Sequence, residues 1–95
     1  MAAYVVINLD VTDPETFEKY RAVATPLVMN SGGKYLAVDL APVDLDGKSR
    51  QALAIVEFES VEAAKHFYNS PEYQAIIDLR LSSTEGWVRV IPELT

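Results

Sequence analysis

Ser60–Thr84, with the sequence SVEAAKHFYNSPEYQAIIDLRLSST, predicts two short helices joined at Ser70-Pro71. Ser60 is a favourable N-cap for the first helix, because its hydroxyl oxygen can accept hydrogen bonds from backbone N–H groups that the first turn leaves unpaired. Ser70 caps the second helix in the same way, and Pro71 has its φ already set for the first helical position. Strand-like segments precede and follow this pair, which therefore indicates a mixed α and β domain.

The second of these helices carries a charged residue on its apolar stripe. Tyr73, Ile76 and Ile77 recur at helical spacing, and Arg80 follows one turn past Ile76 on the same stripe. His66, the single histidine of the chain, lies on the preceding helix beside aromatic residues. These polar groups among apolar neighbours are the best indications of a functional site.

Four strands and one further helix complete the chain. The predicted strands are Ala3–Val11, Lys34–Leu40, Gln51–Glu59 and Gly86–Ile91. The second and third are expected to form an antiparallel hairpin with a turn at Asp46-Gly47.

The remaining helix begins between Thr12 and Glu15. Either these two residues form a capping box, or Asp13 is the N-cap with Pro14 at the first helical position. Pro26 cannot donate a backbone hydrogen bond, so we expect the helix to kink or end there.

The order β-α-β-β-α-β predicts a single α+β domain over residues 1–95 with the ferredoxin-like arrangement. Its sheet is antiparallel and both helices cover one face. Hydrophobic residues make up 49% of the 95 residues, which is more than so small a chain can easily hide. We therefore predict a homodimer in which two sheets pack face to face.

The charge and composition exclude several classes of protein. A net charge of −6 argues against nucleic acid and against an anionic membrane surface as partners. The absence of cysteine excludes disulfides and thiolate metal sites. The N-terminal segment lacks the features of a signal peptide, so a cytoplasmic location is expected.

Four segments resemble a known family: VINLDVTDPETFEKYR, NSGGKYL, the strand end VEF, and the whole of SVEAAKHFYNSPEYQAIIDLRLSST. Together they are similar to the domain-of-unknown-function 1330 family, and the paired Ser-Pro-Glu-Tyr and Leu-Arg are the most specific part. The resemblance implies membership of the dimeric α/β-barrel superfamily. That superfamily also contains cofactor-free monooxygenases, lactone isomerases and small stress-related domains, so no single activity is implied.

Several side chains are predicted to approach a cleft between the sheet and its helices. His66 is a natural general base, because its unperturbed pKa lies near neutrality. Arg80 could clamp a carboxylate with its rigid fork of donors. Tyr20, Tyr35, Tyr68 and Tyr73 could line an aromatic pocket with their hydroxyls directed at a ligand.

Each candidate also has a structural explanation. His66 could be a surface residue, and the tyrosines could be core residues whose hydroxyl ends contact water. Arg80 could form an ion pair with Asp10, Glu57 or Asp78, which is the commoner fate of a buried charge. Glu57 could be a second acid or base, or the partner of Arg80.

The sequence favours no metal site and no cofactor, since it has one histidine and no recognisable ligand spacing. The preferred function is binding of a small, partly apolar and anionic metabolite between sheet and helices. In its enzymatic form, a cofactor-free isomerase or oxygenase, His66 would move a proton and Arg80 would hold the anion. The alternatives are a structural or regulatory dimer without a small-molecule site, and assembly with a different partner subunit.

Overall fold

Four antiparallel strands form one sheet in the order β2-β3-β1-β4. The computed structural model describes all residues from Met1 to Thr95. The elements, in chain order, are β1 (Ala3–Val11), α1 (Pro14–Asn30), β2 (Lys34–Asp39), β3 (Ala52–Phe58), α2 (Val61–Tyr68), α3 (Pro71–Gln74), α4 (Ile77–Leu81) and β4 (Thr84–Pro92). The predicted α+β, ferredoxin-like fold is therefore confirmed, including the β2–β3 hairpin.

The central strand, β1, fixes which residues share a face of the sheet. Ile7 lies opposite Ala54 of β3 and opposite Val88 of β4. Successive side chains of a strand point to opposite faces, so Val5, Ile7 and Leu9 share one face with these partners. We call it the inner face, because its residues pack with those of the helices in the hydrophobic core.

The opposite, outer face of the sheet is not covered by any helix of the chain. It carries Tyr4, Val6, Asn8 and Asp10 of β1, together with their neighbours on β3 and β4. Trp87 and Ile91 of β4 remain 37% and 53% exposed there. A large part of the apolar surface of the chain thus lies outside its own core.

Helix α1 shows which of the two predicted caps is used. Asp13 is the N-cap, and its carboxylate accepts hydrogen bonds from the backbone N–H and the hydroxyl of Thr16, at 3.2 and 2.7 Å. Pro26 does not end the helix, which continues to Asn30. Ala24 and Val28 are buried on either side of the proline, so packing anchors both halves although one backbone hydrogen bond is lost.

The segment after Pro71 is not the single helix that the sequence predicts. It is divided into α3 and α4 by a break at Ala75 and Ile76, where the N–H of Ile76 bonds to the carbonyl of Tyr73 at 3.0 Å. This i→i−3 bond tightens the last turn of α3 and interrupts the regular repeat. Tyr73, Ile77 and Arg80 are buried, whereas Ile76 is half-buried.

The loop between β2 and β3 is fastened to the central strand by polar contacts. The Arg50 guanidinium forms an ion pair with Asp10 at 2.8 Å. The buried Asn8 side chain donates to the carbonyl of Ala52 at 2.8 Å and accepts from the backbone N–H of Arg50 at 3.1 Å. The hairpin is thus held in register by β1 as well as by its own turn.

None of the helices combines the length and the hydropathy that crossing a lipid bilayer requires.

Candidate functional site

A cavity of about 340 Å³, which we call the first cavity, lies between the inner face of the sheet and the helices. Most of its lining is apolar, and its floor is formed by strand residues such as Val5, Val56 and Val90. Few polar side chains interrupt this lining. Ligand pockets commonly combine an apolar wall with a small number of polar anchors.

Four of these polar residues form what we call the tyrosine–arginine cluster, namely Tyr20, Tyr68, Tyr73 and Arg80. The Nε of Arg80 donates to the Tyr73 hydroxyl at 3.3 Å, and its Nη2 donates to the Tyr68 hydroxyl at 3.3 Å. The hydroxyls of Tyr73 and Tyr20 are 2.7 Å apart and share a hydrogen bond. The cluster thus joins α1, α2, α3 and α4 around one guanidinium.

Arg80 is buried, with 6% of its surface exposed, yet it has no carboxylate partner. The ion pairs of the chain are Arg21–Glu18 and Arg50–Asp10. The alternative expectation, an ion pair between Arg80 and Asp10, Glu57 or Asp78, is therefore not met in the monomer. Neutral phenol hydroxyls stabilise the cation without cancelling its charge.

The three carboxylates that were expected to pair with Arg80 lie elsewhere in the fold. Asp10 is engaged by Arg50, and Asp78 is exposed. Glu57 lies opposite Tyr4, so it belongs to the outer face and points away from the helices. Glu57 therefore does not meet the cluster, and the expectation that it approaches the same cleft is corrected.

The environment keeps Arg80 charged and the neighbouring tyrosines neutral. Burial alone lowers the pKa of Arg80, but its interactions with Tyr73 and then with Tyr20 outweigh this effect, so the net pKa lies above the usual value. Burial, reinforced by Tyr73, raises the pKa of Tyr20, and burial also raises that of Tyr35. At neutral pH these two tyrosines act as hydroxyls and not as phenolates.

Hydrogen bonding in the cluster leaves donors for a ligand. When Tyr73 accepts from Arg80 and donates to Tyr20, the hydroxyl hydrogen of Tyr20 is free. The Nη1 of Arg80 has no hydrogen bond to protein. Because every fully buried side-chain polar atom of the chain has a partner, Nη1 is not fully buried and is open to a molecule in the cavity. The site can therefore bind a hydrogen-bond acceptor that carries negative charge.

His66 does not join this arrangement. It is exposed and lines a shallow groove with residues such as Glu62 and Glu72, not the first cavity. The core-facing residues of α2 are Ala64 and Phe67, and consecutive helical residues are rotated by about 100°. The sequence expectation that His66 approaches the cleft is thus not met.

Two polar residues that line the first cavity, Lys65 and Asn69, were not singled out from the sequence. Lys65 lies on α2, and Asn69, one helical turn further along, is the C-cap of that helix. Tyr35, which the sequence did predict to line a pocket, lies on the inner face of β2 and lines the first cavity. The spacing of Lys65 and Asn69 places them on one side of the helix, which was the available signal. No group of three histidine, aspartate or glutamate residues lies close enough together to bind a metal ion.

Comparisons with known proteins agree with the fold. A protein of unknown function from Rhodopseudomonas palustris has a TM-score of 0.81 at 17% identity, covering 99% of this chain and 83% of its own. A dimeric ferredoxin-like protein of unknown function from Thermobifida fusca has a TM-score of 0.69 at 11% identity, covering 98% and 92%. SnoaB, a cofactor-independent oxygenase from Streptomyces nogalater, has a TM-score of 0.68 at 13% identity, covering 99% and 93%.

No protein of curated function matches the chain. A family model does match, over residues 2–94, and its description is a domain of unknown function. This match spans nearly the whole chain and confirms the resemblance seen in the sequence. The protein belongs to the domain-of-unknown-function 1330 family.

Proposed function

We propose that the protein binds a small, partly apolar carboxylate in the first cavity, with Arg80 holding the anionic group. The observation that carries the proposal is the buried guanidinium of Arg80 without a carboxylate partner. A buried charge is costly unless an opposite charge compensates it. A ligand carboxylate would supply that charge, and its planar shape matches the guanidinium fork.

The tyrosines complete the proposed recognition. Tyr20 has a hydroxyl that can donate to the second carboxylate oxygen, while Tyr68 and Tyr73 hold the guanidinium in place. The rings of Tyr68 and Tyr73 lie 5.4 Å apart, centroid to centroid, and Phe67 lies 5.0 Å from Tyr73. These rings offer apolar and aromatic surface to the remainder of the ligand.

The proposed unit is a homodimer formed through the outer faces of two sheets. The exposed apolar residues of that face, such as Trp87 and Ile91, support this arrangement. Related folds from Bacteroides fragilis and Thermobifida fusca are dimeric. Gel filtration tests the proposal directly, and a monomer at micromolar concentration would contradict it.

The enzymatic form of the proposal is cofactor-free chemistry of the isomerase or monooxygenase type. The fold shared with SnoaB supports it at the level of architecture. The donors of Arg80 and Tyr20 could stabilise an oxyanion that develops in a bound substrate. His66 is not part of this version, because it lies outside the first cavity.

A thermal-shift screen against small aromatic acids, keto acids and lactones tests the binding proposal. A ligand that binds only the folded state raises the melting temperature. We expect an upward shift with apolar monocarboxylates and none with the corresponding carboxamides, which keep the shape and lose the charge. The shift should disappear in Arg80→Met.

Arg50→Met is the matched control, because this arginine pairs with Asp10 and does not line the first cavity. Its ligand-induced shift should equal that of the wild type. Absence of any Arg80-dependent shift across the panel would favour the rival proposal, a structural or regulatory dimer without a small-molecule site.

A further inference from the structure

We infer that the binding site has two chambers and that its ligand carries the anionic group between two apolar arms. The inference rests on the proposed function and specifies its ligand class. A second cavity, also of about 340 Å³, adjoins the first. Ile7, Tyr20, Tyr35 and Arg80 line both cavities, so these four residues form the boundary between them.

The sheet shows how the two cavities are arranged. Along β1, Val5 lines the first cavity, Leu9 lines the second, and Ile7 between them lines both. Because a strand rises about 3.3 Å per residue, Val5 and Leu9 are separated by about 13 Å. The cavities therefore follow one another along the central strand.

The cross-strand neighbours of Ile7 are also divided between the two cavities. Val88, on one side of Ile7, lines the first cavity, and Ala54, on the other side, lines the second. Both are half-buried positions on the inner face. Each cavity thus has its own floor residue, which allows each to be altered separately.

The walls of both cavities are mainly apolar, and Arg80 is the charged residue common to both. The other cations at the two cavities are less buried. Arg21 of the second cavity is already paired with Glu18 at 3.1 Å, and Lys65 and Arg89 of the first are exposed. The deep anion position therefore lies at the junction and not at either end.

This geometry selects a chemical class. An acid whose carboxylate is terminal to a single apolar arm can fill one cavity when it bonds to Arg80. An acid whose carboxylate-bearing carbon has an apolar group on each side can fill both. Each cavity alone is near the lower limit of typical ligand pockets, about 300–1,000 Å³, while the two combined fall well within that range.

Isothermal titration of the full chain with two probes tests the inference. The one-armed probe is 3-phenylpropanoate, and the two-armed probe is 2-benzyl-3-phenylpropanoate, which adds a second benzyl group beside the same carboxylate. We expect the two-armed acid to bind at least about tenfold more tightly, because a second ring of phenylalanine size is removed from water.

Ala54→Leu narrows the second cavity from its floor. We expect it to bring the affinity for the two-armed acid close to that for the one-armed acid, whose own affinity stays within about twofold of the wild-type value. Val38→Phe, at an exposed position of the edge strand that also lines the second cavity, repeats the test if Ala54→Leu does not fold.

The outcomes separate the inference from the proposed function. Arg80-dependent binding of both acids with equal affinity, unaffected by Ala54→Leu and Val38→Phe, would overturn the two-chamber site and leave carboxylate binding standing. Absence of Arg80-dependent binding of either acid would overturn both.

Discussion

Replacing Arg80 with methionine removes the buried guanidinium while keeping an unbranched side chain of similar reach. Its hydrogen bonds to Tyr73 and Tyr68 are both 3.3 Å long. Bonds of this length lie at the weak end of the range, so we assign about 1.5 kcal/mol to each and about 3 kcal/mol to the pair. This is the stabilisation that the substitution removes.

A second contribution to the free energy of unfolding opposes this loss and is of similar size. Holding a cation away from water without a counter-charge costs several kcal/mol, and the methionine variant is relieved of that cost. Neither hydroxyl is stranded, because Tyr73 keeps its 2.7 Å bond to Tyr20, and Tyr68 is 36% exposed and can bond to water. We therefore expect the free energy of unfolding of the unligated protein to change by no more than about 1 kcal/mol.

Urea denaturation of wild type and Arg80→Met, at equal protein concentration, measures this difference. The slope of free energy against urea should be unchanged, since the same surface is exposed on unfolding. A change of 1 kcal/mol corresponds to about 4–8 °C in melting temperature for a chain of this size.

Ligand affinity should respond very differently. Loss of the charge-assisted contact between Arg80 and a carboxylate, about 3 kcal/mol, lowers the affinity about 100-fold. A loss of 3 kcal/mol or more in the stability of the unligated variant, with carboxylate binding unaffected, would refute the reasoning. Arg80 would then be balanced by a negative charge of the assembled protein, such as one from a second copy.

Three further substitutions test separate parts of the structure. Gly86→Ala should destabilise the fold by about 3 kcal/mol or more in thermal melts, because φ is +150° there and a Cβ would overlap the Asn8 carbonyl. Asp13→Ala should lower the free energy of unfolding at pH 7, and by a smaller amount as the pH is lowered below 3.8. The bonds from Thr16 lower the pKa of Asp13 below its usual 3.8, so the stabilisation that depends on its charge is present above that value and lost as the pH falls through the folded-state pKa. His66→Gln should leave carboxylate affinity within about twofold of wild type in titrations, because His66 lies outside the first cavity, and a larger loss would contradict that assignment.

The sequence was sufficient to predict the fold because its local signals agree with one another. The bounds of the first strand, Ala3–Val11, are those observed, since this segment is rich in β-branched residues and free of glycine and proline. The N-cap at Asp13 was one of two alternatives, and its carboxylate rather than the hydroxyl of Thr12 makes the capping bonds. Sequence pattern alone could not choose between them.

The break at Ala75 and Ile76 could not be predicted, because neither residue is a helix breaker. The lack of a carboxylate near Arg80 could be predicted from the sequence only in part. The alternation of β3 already separates Glu57 from Val56 and Phe58 of the inner face, and this excludes it as a partner. The pairing of Asp10 with Arg50 depends on how a long loop folds back, which no local pattern encodes.

The central position of β1 has a consequence for how the protein reaches its native state. β1 is the first strand to be synthesised, yet one of its two neighbours is β4, the last, with Ala3 opposite Pro92. Contacts this distant in sequence slow folding, because the chain must be closed into a long loop before they form. The sheet therefore cannot be completed until β4 has left the ribosome, and β1, with apolar residues on both faces, must remain unpaired on that side until then.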